Sequence, residues 1–557
     1  MKKIVLYLII LGAVSFSGCK KFVDINKNPN APTGTVDEQL LLPTNIVRYA
    51  QSRPTYSLYG EELVGYVVNA GGVSGWGTII DYNYGPGTYA GFWDLYDIIT
   101  DMNAIVKRAD EDPTYLYYSG AAKVLKAMIF QQLVDTYNNI PYTDANKGTG
   151  SLTPKYDKAE DIYLSIYGLV DEAIKNLQDG KASSSTLAIT GVRDPLFKGD
   201  VASWLKLANT VKLRIYLRAK SKVNFPNTTF TSDGFLTSDA IVQPDFVNEA
   251  GKQNPTWSRV YTSANALVGG GLQQRVPSFY TIGFYNGNKL TDKFRGNLVY
   301  KSFPTPGLNQ LGFDPGTDAN ARVKAPNDWF IGSGTPSATN YFGVGIFKGP
   351  DAGEPILTAA ESYFLQAEGT LIGVVSGNTK DLFEKGITAS FTYLNKAKNN
   401  SLASSLFVNK TNGKLATAAG TDLITINEAA ITTEVATYKT DNANSYLVNF
   451  DLATTNEQKL EAIITQKYLA NNMICGGESW NEFRRTGYPT TTMPSVANKY
   501  TSFVSLQSLS PSANKLPGRL QYPTNEFQYN AANVNQQKGA AANGGIAPME
   551  DKIFWAK

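Results

Sequence analysis

Residues 157–178, DKAEDIYLSIYGLVDEAIKNLQ, carry apolar side chains at Ile162, Ile166, Leu169, Val170, Ala173, Ile174 and Leu177. Steps of three and four return to one face of an α-helix, so the segment predicts an amphipathic helix. Asp157, with Glu160 three residues on, has the form of a capping box and predicts where that helix starts. The same period recurs on both sides. Ala121, Val124, Leu125, Met128, Ile129 and Leu133 repeat it upstream, and Trp204, Leu205, Ala208, Val211 and Ile215 repeat it downstream. Thr358 with Glu361, and Thr455 with Gln458, open two further helices with the same capping chemistry. Helical runs that come in pairs predict a mainly α chain, without the regular self-similarity at about 34 residues that would mark tandem repeats.

Stretches of another kind interrupt the helices. Residues 223–355 hold 17 Gly and 11 Pro, 28 of 133 positions, against 49 + 26 = 75 of 557 in the whole chain. Such punctuation breaks helices and predicts loops and short strands. A long ordered insertion of this kind is where binding residues concentrate. A smaller one, at about 65–91, contains the run Ala70-Gly71-Gly72-Val73-Ser74-Gly75-Trp76-Gly77. A third, at about 399–453, is rich in Thr, Ala, Ser and Asn.

Composition removes whole classes of function. The chain has no histidine, which excludes Ser–His–Asp and Cys–His catalysis and every His-ligated metal site. No cofactor or metal is expected. Lys+Arg less Asp+Glu is 51 − 48 = +3, and loss of Lys2 and Lys3 with a leader brings it near +1. That leaves no electrostatic footprint for nucleic acid. Aromatic residues are plentiful at 7 Trp, 32 Tyr and 26 Phe, and rings with a polar tip favour a surface that binds something.

The leader is read from its charge and length. Lys2 and Lys3 precede a mostly apolar run at residues 4–14, too short to span a bilayer and of the right length for a secretion signal. Phe16-Ser17-Gly18-Cys19 then places small residues directly before a cysteine, as in a bacterial lipobox. Residues 1–18 are therefore expected to be a lipoprotein signal peptide, and Cys19 the lipidated N-terminus of a body covering 19–557. The other cysteine, Cys475, lies in an apolar run and reads as a small buried hydrophobe.

Motifs of catalysis fail on inspection. Asp24-x-Asn26-x-Asn28 imitates a calcium loop, but Pro29 stands where glycine is required and Thr35 where glutamate is. Gly343-Val344-Gly345 is followed by Gly349, one residue too far for a dinucleotide fingerprint. Lys212, Arg214, Arg218, Lys220 and Lys222 fall late in a helix, where cations suit the dipole and a solvated face. Glu361 and Glu368 would share a helix face, about 10 Å apart along the axis. Two carboxylates suffice for glycoside hydrolysis, so a surface glycoside hydrolase is a competing reading. Their amphipathic context predicts instead a structural ion-pair network with cations such as Lys212, Arg214 or Arg484 on neighbouring helices. Glu478, Glu482, Arg484 and Arg485 around Trp480 read the same way.

Taken together, these segments resemble the SusD/RagB-like outer-membrane lipoproteins. The resemblance is carried by residues 24–33 after the lipobox, by Ala121–Ala127 with Leu133–Tyr137 and Ile140-Pro141-Tyr142, and by Asp194–Asp200 with Trp204–Asn209. It continues through Glu361–Glu368, Gln466-Lys467-Tyr468, Glu478–Pro489 and Arg519–Glu526. Asn138-Asn139 stands where the family usually has Gly-Asp. The resemblance implies one domain with about four tetratricopeptide-like helix pairs, loop-rich insertions and a few short strands. It implies a palmitate-bearing lipid anchor, a position on the cell exterior and no enzymatic activity. It also implies a partner, a TonB-dependent transporter of the SusC/RagA type, to which the protein passes captured oligosaccharides or, in some members, peptides.

The ligand itself is approached through aromatic residues on loops, since a neutral sugar is held by ring faces and by amide and hydroxyl groups. Trp204 and Trp480 sit in periodic helices and are excluded as core. Trp76, with Tyr82 and Tyr84 after it, is the first candidate set, and Trp257 and Trp329 of the long insertion are the second.

Overall fold

The computed structural model describes residues 37–69, 79–264, 275–300, 343–409 and 421–557, together with 266, 268 and 303. Helix makes up 51% and strand 5%, so the fold is mainly α. Helices α1 (Glu38–Leu63), α2 (Leu95–Glu111), α3 (Leu116–Tyr137), α4 (Ala159–Ala182) and α5 (Val201–Ala219) each pack on the next. After the long insertion, α6 (Ala359–Leu371) seats against α5 and pairs with α7 (Thr379–Asn395). Helix α8 (Glu428–Asp441) packs on α7, α9 (Asn456–Asn471) on α6, and α10 (Gly476–Thr486) on both α9 and α1. The last long helix thus returns to the first, and tetratricopeptide-like helix pairs form a closed array around one core that runs from Leu42 to Trp555.

The most central element is α3. It is apolar on nearly every side and buried accordingly, as a helix enclosed by neighbours must be. Helices α1 and α10 meet backbone to backbone. A Cβ added to Gly60 would lie 2.0 Å from the Gly476 carbonyl oxygen, so the backbones meet where neither residue has a side chain. Of the expected capping boxes, Thr455 and Gln458 form one in full. Thr358 accepts from the Glu361 N–H, while the Glu361 side chain turns away to an arginine. Asp157 does not cap α4. Its carboxylate accepts instead from the N–H groups of Tyr142 and Thr143 and from the Thr143 hydroxyl, fastening the turn that follows α3.

Strands are short and lie in the interrupted segments. Strand β1 (Val68–Asn69) pairs with β3 (Arg275–Val276), β2 (Ala240–Val242) with β4 (Glu354–Leu357), and β5 (Ser405–Asn409) with β6 (Thr421–Thr425), all antiparallel. The third interruption is not merely loop, because α8 lies within it. Among its many threonines, Ile431, Val435 and Tyr438 recur at four and three residues and are the ones buried. Among the described residues, no helix is long and apolar enough to cross a membrane.

Candidate functional site

The two insertions that precede α6 meet at the C-terminal end of α1, and the residues there explain how. Glu61 and Glu62 end the helix where its dipole disfavours anions, so each needs a cation. Arg259 reaches Glu61 at 3.1 Å and Arg275 reaches Glu62 at 3.0 Å, both from the long insertion. The Tyr89 hydroxyl, from the shorter insertion, donates to Glu62 at 2.5 Å. Burial pushes the Glu62 carboxyl above its ordinary range, and Arg275 and the Tyr89 hydroxyl act against that. Just beyond, the Gly65 carbonyl accepts from the hydroxyls of Ser278 and Thr281. Gly65 has φ +75° and its missing side chain makes room for Phe503, two reasons for glycine. The β1–β3 ribbon then ties the two insertions together with Val68 opposite Val276 and Asn69 opposite Arg275. A rigid helix end therefore fixes the bases of both segments.

Trp76, Trp329 and Cys19 lie outside the described residues. Tyr82, Tyr84 and Trp257 are inside and are buried in the body. The Tyr82 hydroxyl accepts from the Ser505 N–H at 3.0 Å, and Tyr84 packs toward Tyr59 and Tyr82. Trp257 lies against Tyr261, ring centres 4.6 Å apart, on a short turn whose Asn254 is bonded to Glu354 and to the Ala352 carbonyl. Among the described residues, these rings belong to the main core rather than to a separate one. Trp204 and Trp480 are buried in their helices.

The charged residues form a buried network whose pairing differs in detail from the one expected. Arg214 stands 3.4 Å from Glu361, as anticipated. Glu368 is held by Arg485 in a two-pronged contact at 2.6 and 2.7 Å, and not by Arg484. Adjacent helical positions point about 100° apart, which sends Arg484 the other way. Arg484 donates to the carbonyls of Asp135 and Gly518 and lies over the rings of Trp480 and Trp555. Lys212 also faces away from Glu361, to Asp171 at 2.5 Å and the Thr229 carbonyl. Lys212 and Arg214 are two residues apart on α5 and so project to opposite sides.

Nor do Lys212, Arg214 and Arg218 form a solvated face, although Lys220 and Lys222, just past the end of α5, are exposed as expected. Arg218 is buried between Asp135 at 2.5 Å and Glu478 at 2.7 Å, with Glu482 at 3.5 Å. Lys467 bonds Glu482 at 3.0 Å. Burial alone would raise the Glu478 carboxyl, but Arg214, Arg218 and Lys467 outweigh it and hold it down at about 2. Cys475 is buried as expected, with Arg53 donating to its sulfur at 2.8 Å.

A cavity of about 230 Å³ opens between the long insertion and the C-terminal helices. Tyr280, Phe284 and Lys289 face Glu461 and Thr465 of α9 across it, with Pro489, Thr490, Thr492 and Thr501 completing the wall. The sequence reading passed over these residues. Their signal was local: two aromatic residues four apart, then the turn Asn286-Gly287-Asn288 carrying a lysine.

The same architecture is found in known proteins. Residues 29–234 match the family model described as "Starch-binding associating with outer membrane", and residues 351–556 match that of "Susd and RagB outer membrane lipoprotein". No curated protein matches the chain. A SusD homologue from Bacteroides fragilis superposes with a TM-score of 0.64 at 20% identity, covering 94% of this chain and 100% of its own. A SusD homologue from Bacteroides uniformis gives 0.59 at 20% identity, with 93% and 99% covered. A chitin-binding protein gives 0.61 at 22% identity, with 93% and 99% covered. The chain belongs to the SusD/RagB-like family of outer-membrane, nutrient-binding proteins.

Proposed function

We propose that the protein is a cell-surface lipoprotein that binds oligosaccharides and delivers them to a TonB-dependent transporter of the SusC/RagA type, without acting on them as an enzyme. The observation that carries this reading is the junction at the end of α1, where Glu61, Glu62 and the β1–β3 ribbon hold the bases of two insertions. Trp76 follows β1 by seven residues, and Trp329 belongs to the insertion that supplies β3. The family model named for starch binding and the chitin-binding relative both support a glycan ligand. The two carboxylates that a hydrolase would need, Glu361 and Glu368, are buried in ion pairs with Arg214 and Arg485. Calorimetry of the purified protein against a panel of neutral oligosaccharides tests the reading. Covering one sugar face with an aromatic ring contributes about 1–3 kcal/mol, so Trp76→Ala and Trp329→Ala should each weaken binding about tenfold to a hundredfold. Wild-type affinity in both folded variants would remove these residues from the site. Release of reducing ends by the purified protein would overturn the non-enzymatic assignment.

A further inference from the structure

We propose that the cavity at Tyr280, Phe284 and Lys289 is a separate subsite for an acidic sugar, a uronate ring whose carboxylate is taken by Lys289. This rests on the oligosaccharide reading above but uses different residues. The turn carrying Lys289 is well fixed, since its N–H donates to the Gly283 carbonyl at 2.8 Å and Asn286 bridges to Thr291. Its ammonium stands 3.2 Å from the centre of the Tyr280 ring and 4.1 Å from that of Phe284. The Tyr280 hydroxyl is committed to the Thr490 carbonyl at 2.8 Å, which locks the ring in place. Among the described residues, Lys289 has no carboxylate within ion-pair distance, and Glu461 on the far wall is engaged by the Tyr446 hydroxyl at 2.6 Å.

An ammonium held on aromatic faces in a recess, without a counter-ion, is a site for an anion. Cation–π contact replaces part of its lost hydration, and a carboxylate replaces the rest. Burial holds the amine well below the ordinary lysine range, and an arriving carboxylate acts against that shift. The remaining wall suits a sugar. Thr465, Thr490, Thr492 and Thr501 line it and carry hydroxyls that can meet ring hydroxyls. The volume of about 230 Å³ lies below the roughly 300–1,000 Å³ of pockets for larger ligands and suits a single ring.

The test compares digalacturonate with neutral digalactose on the purified lipoprotein in detergent. Digalacturonate should bind at least tenfold more tightly, and Lys289→Met should abolish that preference while Lys289→Arg keeps most of it. On the unaltered protein, digalacturonate should also protect Lys289 from acetic anhydride, read by mass spectrometry, which needs no variant to fold. Equal affinity for the two disaccharides, an unchanged preference in Lys289→Met, or no protection overturns the subsite. Equal protection of Lys289 by triglycine, but not by its C-terminal amide, overturns the sugar assignment in favour of a peptide carboxylate. Neutral glycans that bind through Trp76 should be indifferent to Lys289→Met, so failure here is distinguishable from failure of the proposed function.

Discussion

Arg218 is the residue on which the buried charges converge. It touches Asp135, Glu478 and Glu482, and each of these is itself buried. Replacing it with methionine strands carboxylates in the core, and such a loss costs about 3–5 kcal/mol. Lys212→Met should cost clearly less, because its partner Asp171 is about one-third exposed and can turn to water. Chemical denaturation of the two variants checks the ranking, and equal losses would mean that Arg218 is no keystone. The same network sets an acid dependence. Glu478 titrates at about 2 in the folded state against 4.5 for the free group, so its contribution is full above 4.5 and is lost as pH falls toward 2. Asp135, raised by burial despite Arg218, opposes part of that slope. Glu478→Gln should be less stable at neutral pH yet lose less on acidification than wild type, measured as unfolding free energy from pH 6 to 2.5. Trends of equal steepness would refute the assignment to Glu478. At this scale the sequence was partly legible. Carboxylates placed inside a helical period announce buried pairs, but which arginine meets which glutamate depends on rotations of about 100° per residue that no spacing rule transmits between helices.

Helices pack by their surfaces, and the contact that closes the array is made where surface is absent. Gly60 of α1 meets Gly476 of α10, and a Cβ at Gly476 would lie 2.4 Å from the Ser57 carbonyl oxygen. Gly60→Ala should therefore destabilise the protein by about 2 kcal/mol or more, although alanine is the better helix former. Gly168→Ala on α4 should do the reverse, stabilising by about 0.5–1 kcal/mol, since an added Cβ there meets nothing within 4 Å. Thermal and denaturant unfolding of the pair decide it, and two changes of the same sign would show that helix propensity or packing alone governs both sites. Element by element, α4 was visible because a half-buried helix keeps its apolar stripe, and α3 and α5 because their apolar residues recur at steps of three and four although little of either surface is exposed. Helix α1 was not, since it carries Pro43 and Pro54, each of which removes a backbone donor. Helix α8 hid its three buried residues among threonines. Asp157 was assigned to the wrong partner because a carboxylate before a helix can cap it or bind a neighbouring turn, and only the fold brings Tyr142 and Thr143 within reach.

For the whole molecule, the proposed delivery of a glycan requires that a body with so little net charge be held at the membrane by something other than charge. The order of helical and Gly/Pro-rich segments foretold the array and its insertions, whereas the closure of α10 on α1 and the cavity at Lys289 join residues about 200–400 positions apart, and no single window of sequence shows that the two sides of either contact meet. Attachment, by contrast, is a local property of the leader. A single acyl chain gives marginal, reversible binding to a bilayer, while the several chains of a lipoprotein bind firmly. Cys19 precedes the first residue of α1, Glu38, by 38 − 19 = 19 positions. Cys19→Ala should therefore release the protein into the soluble fraction with an unchanged unfolding temperature, because the residue precedes α1 in the chain. Wild-type protein on intact cells should be digested by added protease without lysis. Retention of Cys19→Ala in the membrane fraction would show that something other than lipid anchors the chain. Full protection of the wild-type body until the cells are broken would place it on the inner side of the membrane and sever the proposed route from captured glycan to transporter.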